Sequence, residues 1–598
     1  MIWKKKHLRQ ETISNTKILD DYISRSISVS TKAISIAIIG GGPKGMYALE
    51  RLLSELQACE IECEIHWFNE DLFFGCGPNF RTTQPEYLLI NFSIGNVNAH
   101  TPNHKNSIIR EFPGMYQWVR NNCRKNLTVR PTDFASRALT GIYLQNYLTH
   151  ILQNLPLNIS LSLIPVGIYN IKQKSDGRLN FPHFSPTSYS SVLLCTGHCY
   201  TNTTPDKTDV HPSCHYLSSP YPIEKLSSLN NQNPIAIMGM GLTFIDVALA
   251  LTEGKGGSFI EKPDMTYTPC GKEPILYPFS RNNLPMIPRP GTYKDRYQLR
   301  YIHRNWIDSL SKKGKIDFVT TVLPVVKKEI QFAYYSTLLK TRDEEFISNY
   351  ILRLNPEEIF DWEKLLFPSF NKKKYTTYQQ FVERYMESMI LEAKKSELES
   401  PILAAAAVWR EASPLINQLY KFNGFTGSSM QLFLQYWHGN FSRVSFGPPI
   451  ENMKKILALT KARIIRFEFK SVEKINKSRM GIELVSPHKK FLFKTFINAR
   501  IARSKFSIDN NALYSNLKNQ GLAKALFNEK FCVDSIEIGK NGRLIPSVES
   551  PHYPQLYAYG TPTEGTVLDN DTLSRKFHDF GSMWAKTIKN QVYEFQNS

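Results

Sequence analysis

Residues 33–50 read AISIAIIGGGPKGMYALE, and this stretch decides the fold of the chain around it. An apolar, β-branched run comes first and is typical of a buried parallel strand. Gly40, Gly42 and Gly45 follow in a G-x-G-x-x-G pattern, and an amphipathic helical pattern continues from there. The first glycine permits a tight turn, the second lets the backbone approach a pyrophosphate, and the third lets helix and strand pack closely. The stretch therefore predicts a dinucleotide site at a helix N-terminus, whose N–H groups and dipole favour phosphate.

An acidic residue stands at the spacing that such a site requires. A second strand is predicted over residues 61–68, and Glu70 follows it, about 25 positions after Gly45. A carboxylate in this place binds a ribose hydroxyl in dinucleotide folds, whereas an unrelated acid at a strand end would only be solvated. With a strand on both sides of the glycine turn, we interpret Glu70 as the ribose residue.

A second strand, glycine turn and helix occur at residues 234–257. The turn contains Gly239 and Gly241, but Phe244 occupies the third glycine position, so the fingerprint is incomplete. Thr243 is expected to cap the helix and to offer a hydroxyl to phosphate. Downstream, Arg281 precedes residues 282–285, and an arginine there could pair with a 2′-phosphate, which would favour NADPH over NADH. We therefore predict a second nucleotide site, the alternative being a purely structural turn.

The bulk composition is that of a multidomain globular protein. The chain has 598 residues with 42% hydrophobic and 12% aromatic residues, which predicts two to four domains. Its formal charge of +20 is spread along the chain without a nucleic-acid motif, so no nucleic-acid partner is expected. Nine cysteines without a paired framework predict reduced thiols and a cytoplasmic location. No run of about 18 apolar residues predicts a membrane span, and no ligand spacing predicts a metal site.

The fold class predicted is α/β, with two dinucleotide-binding Rossmann-like domains and an inserted, mainly helical region. A strand is also expected to end at Thr196-Gly197, where the backbone could run close to a cofactor. Further strands are expected at residues 164–171 and 464–469, and a long helix at 572–595. The expected divisions are an N-terminal extension at 1–32, a first part of the FAD domain at 33–232, an NAD(P)H unit at 233–299, a helical insertion lining or covering the site at 300–445, and a return to the nucleotide domains with a C-terminal FAD segment at 446–598.

Several short segments in this order resemble a known family. They are IAIIGGGPKGMYALERLL, YLLINFSIGNVN, SRALTGIYL, VLLCTGH, IAIMGMGLTFIDVALALTEGKGG, CGKEP, SRNNLP, FGPP and YGTPTEG. Together they resemble the two-dinucleotide flavoproteins that include FAD-dependent urate hydroxylase-like and aspartate N-monooxygenase-like enzymes. The first fingerprint is common to many flavoproteins, whereas SRALxGxYL combined with GxPTEG is much more specific. The stretch at 300–435 matches no segment of that family.

The resemblance implies FAD on the first unit and NADPH or NADH on the second. It leaves the catalytic residues unknown. The cofactor-binding residues that it and the glycine patterns predict are Gly40, Gly42, Pro43, Lys44, Gly45, Glu70, Asn91, Arg137, Thr196, Gly197, Gly239, Gly241, Thr243, Arg281, Gly560, Thr563, Glu564 and Gly565.

The function predicted is that of a monooxygenase with a small-molecule substrate and dioxygen as its partners. A flavin hydroperoxide would hydroxylate a small amine, amino acid or purine-like compound. A diacid substrate would need basic partners, for which Arg137, Arg289 and Arg296 are candidates. Two alternatives stay open: a flavin reductase or dehydrogenase with an acceptor other than oxygen, and a non-enzymatic basic binding protein. The sequence does not indicate an oligomeric state.

Overall fold

The computed structural model describes residues 1–14, 17–24, 34–101, 104, 106–182, 184, 186–198, 214–229, 233–487, 489–501, 506, 511–549, 552–575 and 577–596. The strands are β1 Ile2–Trp3, β2 Ile34–Ile39, β3 Cys63–Phe68, β4 Phe134–Ala135, β5 Ile159–Ile164, β6 Lys172–Gln173, β7 Leu179–Asn180, β8 Ser188–Tyr189, β9 Ser191–Leu194, β10 His215–Leu217, β11 Ile235–Met238, β12 Ser258–Glu261, β13 Met265–Thr268, β14 Leu276–Phe279, β15 Lys474–Ser478, β16 Gly481–Val485, β17 Lys490–Phe493, β18 Thr495–Asn498, β19 Ala525–Asn528, β20 Phe531–Ile536 and β21 Leu556–Ala558. The α-helices are α1 Gln10–Ser14, α2 Pro43–Leu56, α3 Met115–Asn122, α4 Arg137–Gln153, α5 Leu242–Ala250, α6 Arg304–Ser311, α7 Leu323–Leu338, α8 Glu344–Leu352, α9 Trp362–Leu366, α10 Tyr378–Ala393, α11 Pro401–Tyr420, α12 Gly427–Leu432, α13 His438–Ser445, α14 Ile450–Lys461, α15 Ala512–Asn519 and α16 Phe580–Gln596.

The predicted strand of the opening stretch is β2, at the centre of a five-stranded parallel sheet. The strand order is β21-β9-β2-β3-β5, so the last strand of the chain pairs beside one from its first third. Every residue of β2 is buried, and both helix α2 and the short strand β8 pack against it. Helix α2 leaves the glycine turn and packs against the C-terminal helix α16. The sheet thus brings the two ends of the chain together.

The second glycine turn also follows the inner strand of a parallel sheet. Its strand order is β10-β18-β11-β14, and β11 is the strand that leads into Gly239. Strand β18 follows the helical region in the sequence, whereas β11 precedes it. This sheet therefore also joins segments that are distant in sequence. The two parallel sheets with their helices confirm the predicted α/β class with two dinucleotide-binding domains.

Helices α6–α9 and α11–α13 pack around a hydrophobic core of their own, whereas α10 packs mainly against α14. Phe318, Val326, Trp409, Tyr420 and Phe433 are buried in that core. Helix α11 is the central element, because it packs against α6, α7 and α13. These contacts confirm the inserted, mainly helical region that the recurring aromatic spacing predicts.

Two predicted strands and one predicted helix differ in the structure. The strand expected at 164–171 lies earlier, at β5, because Pro165 and Gly167 interrupt the pairing. Residues 464–469 form only a single bridge, from Ile465 to Leu276, and the N–H of Phe467 donates to the side chain of Gln379. The helix expected from residue 572 begins at Phe580, and the residues before it form a loop beside the first glycine turn.

The N-terminal residues, expected to be an extension, pack against the first domain. Strand β1 pairs with β4, and the indole of Trp3 is fully buried and donates to Asp133. Within the described ranges, none of the helices has the length and apolar character needed to cross a membrane. The described residues also include no group of three or more His, Cys, Asp or Glu side chains that could hold a metal ion.

Candidate functional site

A single cavity of about 2580 Å³ opens at the carboxyl ends of the first sheet. Gly40 follows β2, Asn69 follows β3, Thr196 follows β9 and Tyr559 follows β21, and all four line it. Parallel strands end at one edge of their sheet, which is where α/β proteins bind ligands. The cavity extends to Thr243 of α5 and to residues of α11 that include Arg410 and Asn417. Both nucleotide domains and the helical region therefore contribute to one cavity.

The first glycine turn has the geometry of a pyrophosphate cradle. Gly40 has a φ of +116°, and a Cβ added to it would lie 2.1 Å from the carbonyl oxygen of Cys195. A Cβ on Gly45 would lie 2.2 Å from the carbonyl oxygen of Gly40, so helix and strand approach as closely as predicted. A Cβ on Gly42 would meet no atom within 4 Å, and no side chain caps the start of α2 at Gly42 and Pro43. This open face beside uncapped N–H groups fits the pyrophosphate of a dinucleotide.

The residues after β3 complete this edge of the cavity. The amide N–H of Gly41 donates to Asn69 Oδ1 at 3.0 Å, which fixes the turn to the neighbouring strand end. Glu70 is exposed, lines the cavity and accepts a hydrogen bond of 3.0 Å from the hydroxyl of Tyr169. Its carboxylate therefore lies where a ribose hydroxyl could reach it, and its role stays a prediction.

Lys44 is the basic residue of the first glycine turn, and its pKa is strongly shifted. Its ammonium group donates to the carbonyl of Ser574 at 2.8 Å and to Asn570 Oδ1 at 3.2 Å, and it lies 4.9 Å from the ring centre of Tyr559. Burial lowers the pKa of Lys44 to about 8, although the carboxylates of Asp579, Asp571 and Glu564 oppose this shift. A cation held at the helix N-terminus in low dielectric fits an anionic ligand.

The predicted residues of the YGTPTEG segment have mostly structural contacts. A Cβ on Gly560 would lie 2.8 Å from Lys44 Cγ, so this glycine makes room for the lysine. The Thr563 hydroxyl donates to the carbonyl of Gly560 at 2.7 Å, and Glu564 accepts from the N–H of Asn570 at 2.5 Å. The carbonyl of Gly565 accepts a 2.8 Å hydrogen bond from Tyr420 of α11. Among the described cavity-lining residues, Tyr559 and Thr561 represent this segment, and the cofactor roles of Gly560, Thr563, Glu564 and Gly565 stay predictions.

The cavity wall also contains three residues that were predicted to contact a cofactor, Asn91, Thr196 and Gly197. Asn91 Nδ2 donates to the carbonyl of Phe446 at 3.1 Å, so this side chain ties the first domain to the FGPP turn. The hydroxyl of Thr196 shares a 3.0 Å hydrogen bond with Tyr514. Gly197 has a φ of +67°, and a Cβ added there would meet no atom within 4 Å. The Cα of Gly197 therefore faces open space in the cavity.

The second glycine turn repeats the backbone arrangement of the first. Gly239 has a φ of +117°, and an added Cβ would lie 2.7 Å from the carbonyl oxygen of Ala499, which follows β18. A Cβ on Gly241 would meet no atom within 4 Å. The predicted cap is wrong in detail, because Gly241 itself is the N-cap, no side chain caps α5, and Thr243 lies in the first turn. Thr243 lines the cavity, whereas Gly239, Gly241 and Arg281 are not among the described residues that line it.

Two arginines flank this second turn. Arg281 follows β14 and Arg500 follows β18, and these strands lie on either side of β11. Arg281 is exposed and donates to the carbonyl of Gln435 at 2.5 Å. Burial lowers the pKa of Arg500, and the charge of Arg281 adds to this effect, so the two guanidinium groups act on each other electrostatically. Arg500 was not predicted, because only the sheet order places it beside Gly239.

Arg137 joins the two nucleotide domains through a buried ion pair. It is the first residue of α4, and its Nη2 lies 2.7 Å from Oδ2 of Asp246 on α5. The hydroxyl of Tyr221 also donates to Asp246, and Arg137 donates to Tyr221 at 3.4 Å. Burial lowers the pKa of Arg137, but the charge of Asp246, the neighbouring Tyr221 and the hydrogen bonds to both together outweigh burial and hold this pKa above its usual value. Arg137 also lines the cavity. A cofactor that contacts Arg137, as predicted, would have to bind a guanidinium that is already paired with Asp246.

The sequence did not point to residues 569–575, which follow the YGTPTEG segment, as part of the site. Asp569, Asp571, Ser574 and Arg575 of this loop line the cavity. Glu564 accepts from the backbone N–H groups of Asn570 and Asp571 and thereby holds the loop. The high content of Asp, Asn, Ser and Thr in TVLDNDTLS, which is typical of loops, was the available signal.

Sequence comparison agrees with this geometry. Residues 37–199 match the FAD-NAD(P)-binding family, a span that runs from β2 past the Thr196-Gly197 turn. Nitrosuccinic acid synthase npaA of Aspergillus oryzae is 24% identical over 577 residues, which cover 89% of this chain and 88% of that protein. An L-aspartate N-monooxygenase (nitrosuccinate-forming) of Streptomyces davaonensis is 22% identical, with 90% and 93% covered. A protein of the same name from Streptomyces cremeus is 21% identical, and the match covers 90% of this chain and 91% of that protein.

Structure comparison finds solved flavin monooxygenases. An open crystal structure of cyclohexanone monooxygenase has a TM-score of 0.40 and 10% identity, and covers 95% of this chain and 89% of that one. The complex of OTEMO with FAD and NADP has a TM-score of 0.42 and 9% identity, with 95% and 87% covered. On the family match and the relatives along its length, the protein is an FAD- and NAD(P)-binding oxidoreductase that is similar to L-aspartate N-monooxygenases.

Proposed function

We propose that the protein is an NADPH-dependent N-monooxygenase whose substrate is L-aspartate or a closely related small amino dicarboxylate. The observation that carries the proposal is the single cavity shared by the first glycine turn, Thr243 of the second nucleotide domain and a group of arginines. The relatives named as L-aspartate N-monooxygenases support the substrate class. A cytoplasmic location, expected from the cysteine usage, belongs to the same proposal.

The chain's own residues have defined tasks in this proposal. Gly42 leaves room for the pyrophosphate of FAD at the turn that Gly40 and Gly45 shape, Lys44 balances its charge and Glu70 binds its ribose. Gly239, Gly241 and Thr243 take the pyrophosphate of the nicotinamide nucleotide at the start of α5. When bound, FAD supplies the redox chemistry, taking electrons from NADPH and passing one oxygen atom of O₂ to the substrate nitrogen.

The cationic cavity wall suits attack by an amine. Oxygen transfer to nitrogen requires the lone pair of the neutral amine, and nearby cations disfavour the ammonium form. Arg289, Arg296 and Arg410 line the cavity and would lower the pKa of an amine held among them. One turnover consumes the amine, O₂, NADPH and a proton, and yields the N-hydroxy compound, water and NADP⁺.

Arg281 and Arg500 support NADPH over NADH in this proposal. They extend from the strand ends on both sides of the Gly239 turn, where the 2′-phosphate of NADPH would lie. We expect Arg281→Gln combined with Arg500→Gln to lower kcat/KM for NADPH about 10- to 100-fold, since hydrogen bonds to charged groups contribute about 1.5–3 kcal/mol. The value for NADH, which lacks that phosphate, should change by less than about threefold. Equal losses with both nucleotides would contradict this assignment.

The experiment that tests the function uses the FAD-loaded protein with NADPH, L-aspartate and ¹⁸O₂. We expect NADPH and O₂ consumption to match the yield of an N-oxygenated product that carries ¹⁸O, measured by mass spectrometry. Peroxide release without product from any amino acid tested would contradict the proposal. Turnover under anaerobic conditions with another electron acceptor would instead identify a flavin reductase or dehydrogenase.

A further inference from the structure

Helix α11 contains a proline in its interior. Pro414 lies well after the first turn of this helix, which runs from Pro401 to Tyr420. Proline has no N–H, so it cannot donate the hydrogen bond that a helical residue gives to the carbonyl four positions earlier. In α11 that carbonyl belongs to Arg410. Its oxygen therefore lacks the donor that it would have in a regular helix.

This carbonyl lies on the side of α11 that borders the cavity. Arg410, Ser413, Pro414 and Asn417 all line the cavity, and their spacing of three and four residues places them on one side of the helix. A helical carbonyl points along the axis toward the residue four positions later, so the carbonyl of Arg410 follows this side toward Pro414. The oxygen that lacks its helical donor is therefore next to the cavity.

Ser413 provides a second acceptor on the same side. Only 4% of the residue is exposed, and its hydroxyl has no hydrogen-bond partner among the described residues. Its oxygen nevertheless keeps accessible surface where the residue lines the cavity. Helical side chains lean toward the N-terminus, which brings this hydroxyl over the turn that contains the carbonyl of Arg410. Two acceptors therefore lie close together in the cavity wall.

The backbone of α11 is held on both sides of these acceptors. The hydroxyl of Ser445 donates to the carbonyl of Ala406 at 2.5 Å, and Nδ2 of Asn417 donates to the carbonyl of Leu568 at 3.1 Å. These contacts fix the helix to α13 before the proline and to the loop after the YGTPTEG segment beyond it. The acceptors are therefore presented from a fixed backbone, as a binding site requires.

The chemistry of this side of α11 favours a ligand group that donates hydrogen bonds. The guanidinium of Arg410 lies 2.6 Å from Glu397 and 3.1 Å from Glu411, so its charge is already paired. A backbone carbonyl can only accept a hydrogen bond, and a hydroxyl oxygen can accept one as well. A carboxylate has no donor for the carbonyl of Arg410, whereas an amine has one for each of the two acceptors.

Resting on the proposed function, we infer that the carbonyl of Arg410 and the hydroxyl of Ser413 accept the two N–H groups of the neutral substrate amine. Such an amine has two N–H donors and one lone pair. When both N–H groups point toward α11, the lone pair points away from the helix and into the cavity. Oxygen transfer to nitrogen requires this lone pair. Pro414 is thus a positioning residue, because it frees the carbonyl that orients the amine.

Pro414→Ala tests the inference, because alanine restores the N–H that closes the helical hydrogen bond to Arg410. Calorimetry on the oxidised, FAD-loaded protein compares the binding of L-aspartate with that of succinate, which has both carboxylates but no amine. We expect Pro414→Ala and Ser413→Ala each to weaken L-aspartate binding about 3- to 10-fold, since each removes one hydrogen bond to the amine. Succinate binding should change by less than about twofold in both variants.

Pro401→Ala is the matched control in the same helix. Pro401 is the first residue of α11, where a missing N–H leaves no helical carbonyl without its donor. Both ligands should bind this variant as they bind the wild type. Equal losses of L-aspartate and succinate binding in Pro414→Ala would show that the proline only shapes the helix and would overturn the inference. Unchanged L-aspartate binding by Pro414→Ala would overturn it as well.

Thermal unfolding and product yield separate positioning of the amine from a role in folding. Without ligand, Pro414→Ala should melt at or above the wild-type temperature, because it completes the helical hydrogen bonds of α11. With L-aspartate it should still give less N-oxygenated product per NADPH consumed, since the lone pair is no longer oriented. A lower melting temperature combined with the wild-type product yield would assign the proline to folding and reject the inference.

The inference and the proposed function can fail separately. N-oxygenation of L-aspartate with binding and product yield unchanged in Pro414→Ala would retain the reaction and reject the amine site. Binding of L-aspartate that depends on Pro414 and Ser413, without N-oxygenation of the bound compound, would retain the amine site and reject the proposed reaction.

Discussion

At the scale of single residues, the glycines of the first turn have different physical tasks. Gly40 has a left-handed φ of +116° and no room for a side chain, whereas Gly42 has an ordinary φ of −77° and faces open space. Gly40 is therefore needed by the protein alone, and Gly42 is needed only by a ligand that approaches the backbone.

This difference predicts opposite results for two alanine variants. We expect Gly42→Ala to change the free energy of unfolding of the apoprotein by less than about 1 kcal/mol while lowering the FAD content of the purified protein. Gly40→Ala should cost more than about 2 kcal/mol, because it combines backbone strain with a clash. Denaturant unfolding of the apoproteins and the ratio of flavin to protein absorbance measure both effects. Normal FAD content in Gly42→Ala would contradict the cradle.

The pKa of Lys44 predicts how FAD binding depends on pH. Burial lowers this pKa from 10.5 to about 8 in the protein without ligand, and a bound pyrophosphate favours the protonated amine. The pKa in the complex is then higher than in the apoprotein, so binding takes up a proton and the affinity for FAD falls as the pH rises above about 8. Lys44→Arg should remove this dependence, since arginine stays charged. Titration of apoprotein with FAD between pH 7 and about 10 would show the slope, and an equal slope in both proteins would refute this role.

At the scale of elements, α4 and α5 are joined where the two nucleotide domains meet. The ion pair between Arg137 and Asp246 is buried and is completed by Tyr221. It fixes the N-terminal end of α4 to α5, and both helices reach the cavity through Arg137 and Thr243. The relative position of the two domains therefore depends on this contact.

Removing one charge of the ion pair between Arg137 and Asp246 is expected to destabilise the protein strongly. Asp246→Asn leaves Arg137 buried without a carboxylate and should cost about 3–5 kcal/mol of stability. The double variant Arg137→Met with Asp246→Leu removes both charges and should cost less than Asp246→Asn alone. Denaturant unfolding of both variants and of Tyr221→Phe, which should cost only about 1 kcal/mol, measures the coupling. A milder effect of Asp246→Asn than of the double variant would show that the pair does not hold the domains.

At the scale of the whole molecule, the excess of positive charge acts on anionic ligands. The chain carries a formal net charge of +20, and this charge includes Arg289 and Arg296, which line the cavity. Such a field raises the association rate of anions and is weakened by salt.

We therefore expect kcat/KM for NADPH to fall as the salt concentration rises from about 0.05 to about 0.5 M, where the Debye length shortens from above 10 Å to a few Å. NADH is the matched control, because it carries fewer negative charges and should show a shallower slope. Stopped-flow reduction of the flavin by each nucleotide measures both slopes. Identical slopes for the two nucleotides would argue against steering by this charge.

The local pattern of the sequence was sufficient for the elements that carry the first turn. Strand β2 at Ile34–Ile39 agrees with the prediction because an apolar run and three glycines allow few other conformations. The pattern was insufficient where tertiary contacts competed with it. Residues 464–469 have strand composition, yet Gln379 accepts the N–H of Phe467. Residues from 572 were expected to be helical, yet Lys44 binds the carbonyl of Ser574 in a loop there.

The sequence by itself determined the two glycine turns, the α/β class and the helical region, because steric limits on the backbone and the periodicity of apolar residues are local properties. The predicted cofactor roles of Gly40, Gly42 and Glu70 rest on the same local pattern and stay predictions. Only the tertiary structure decided which arginines are free for a ligand. Arg137, Arg289 and Arg410 look alike in sequence, and the positions of Asp246, Glu397 and Glu411 leave Arg289 as the buried one without a carboxylate partner among the described residues. Charge balance depends on distances between side chains that are far apart along the chain, and those distances exist only after folding.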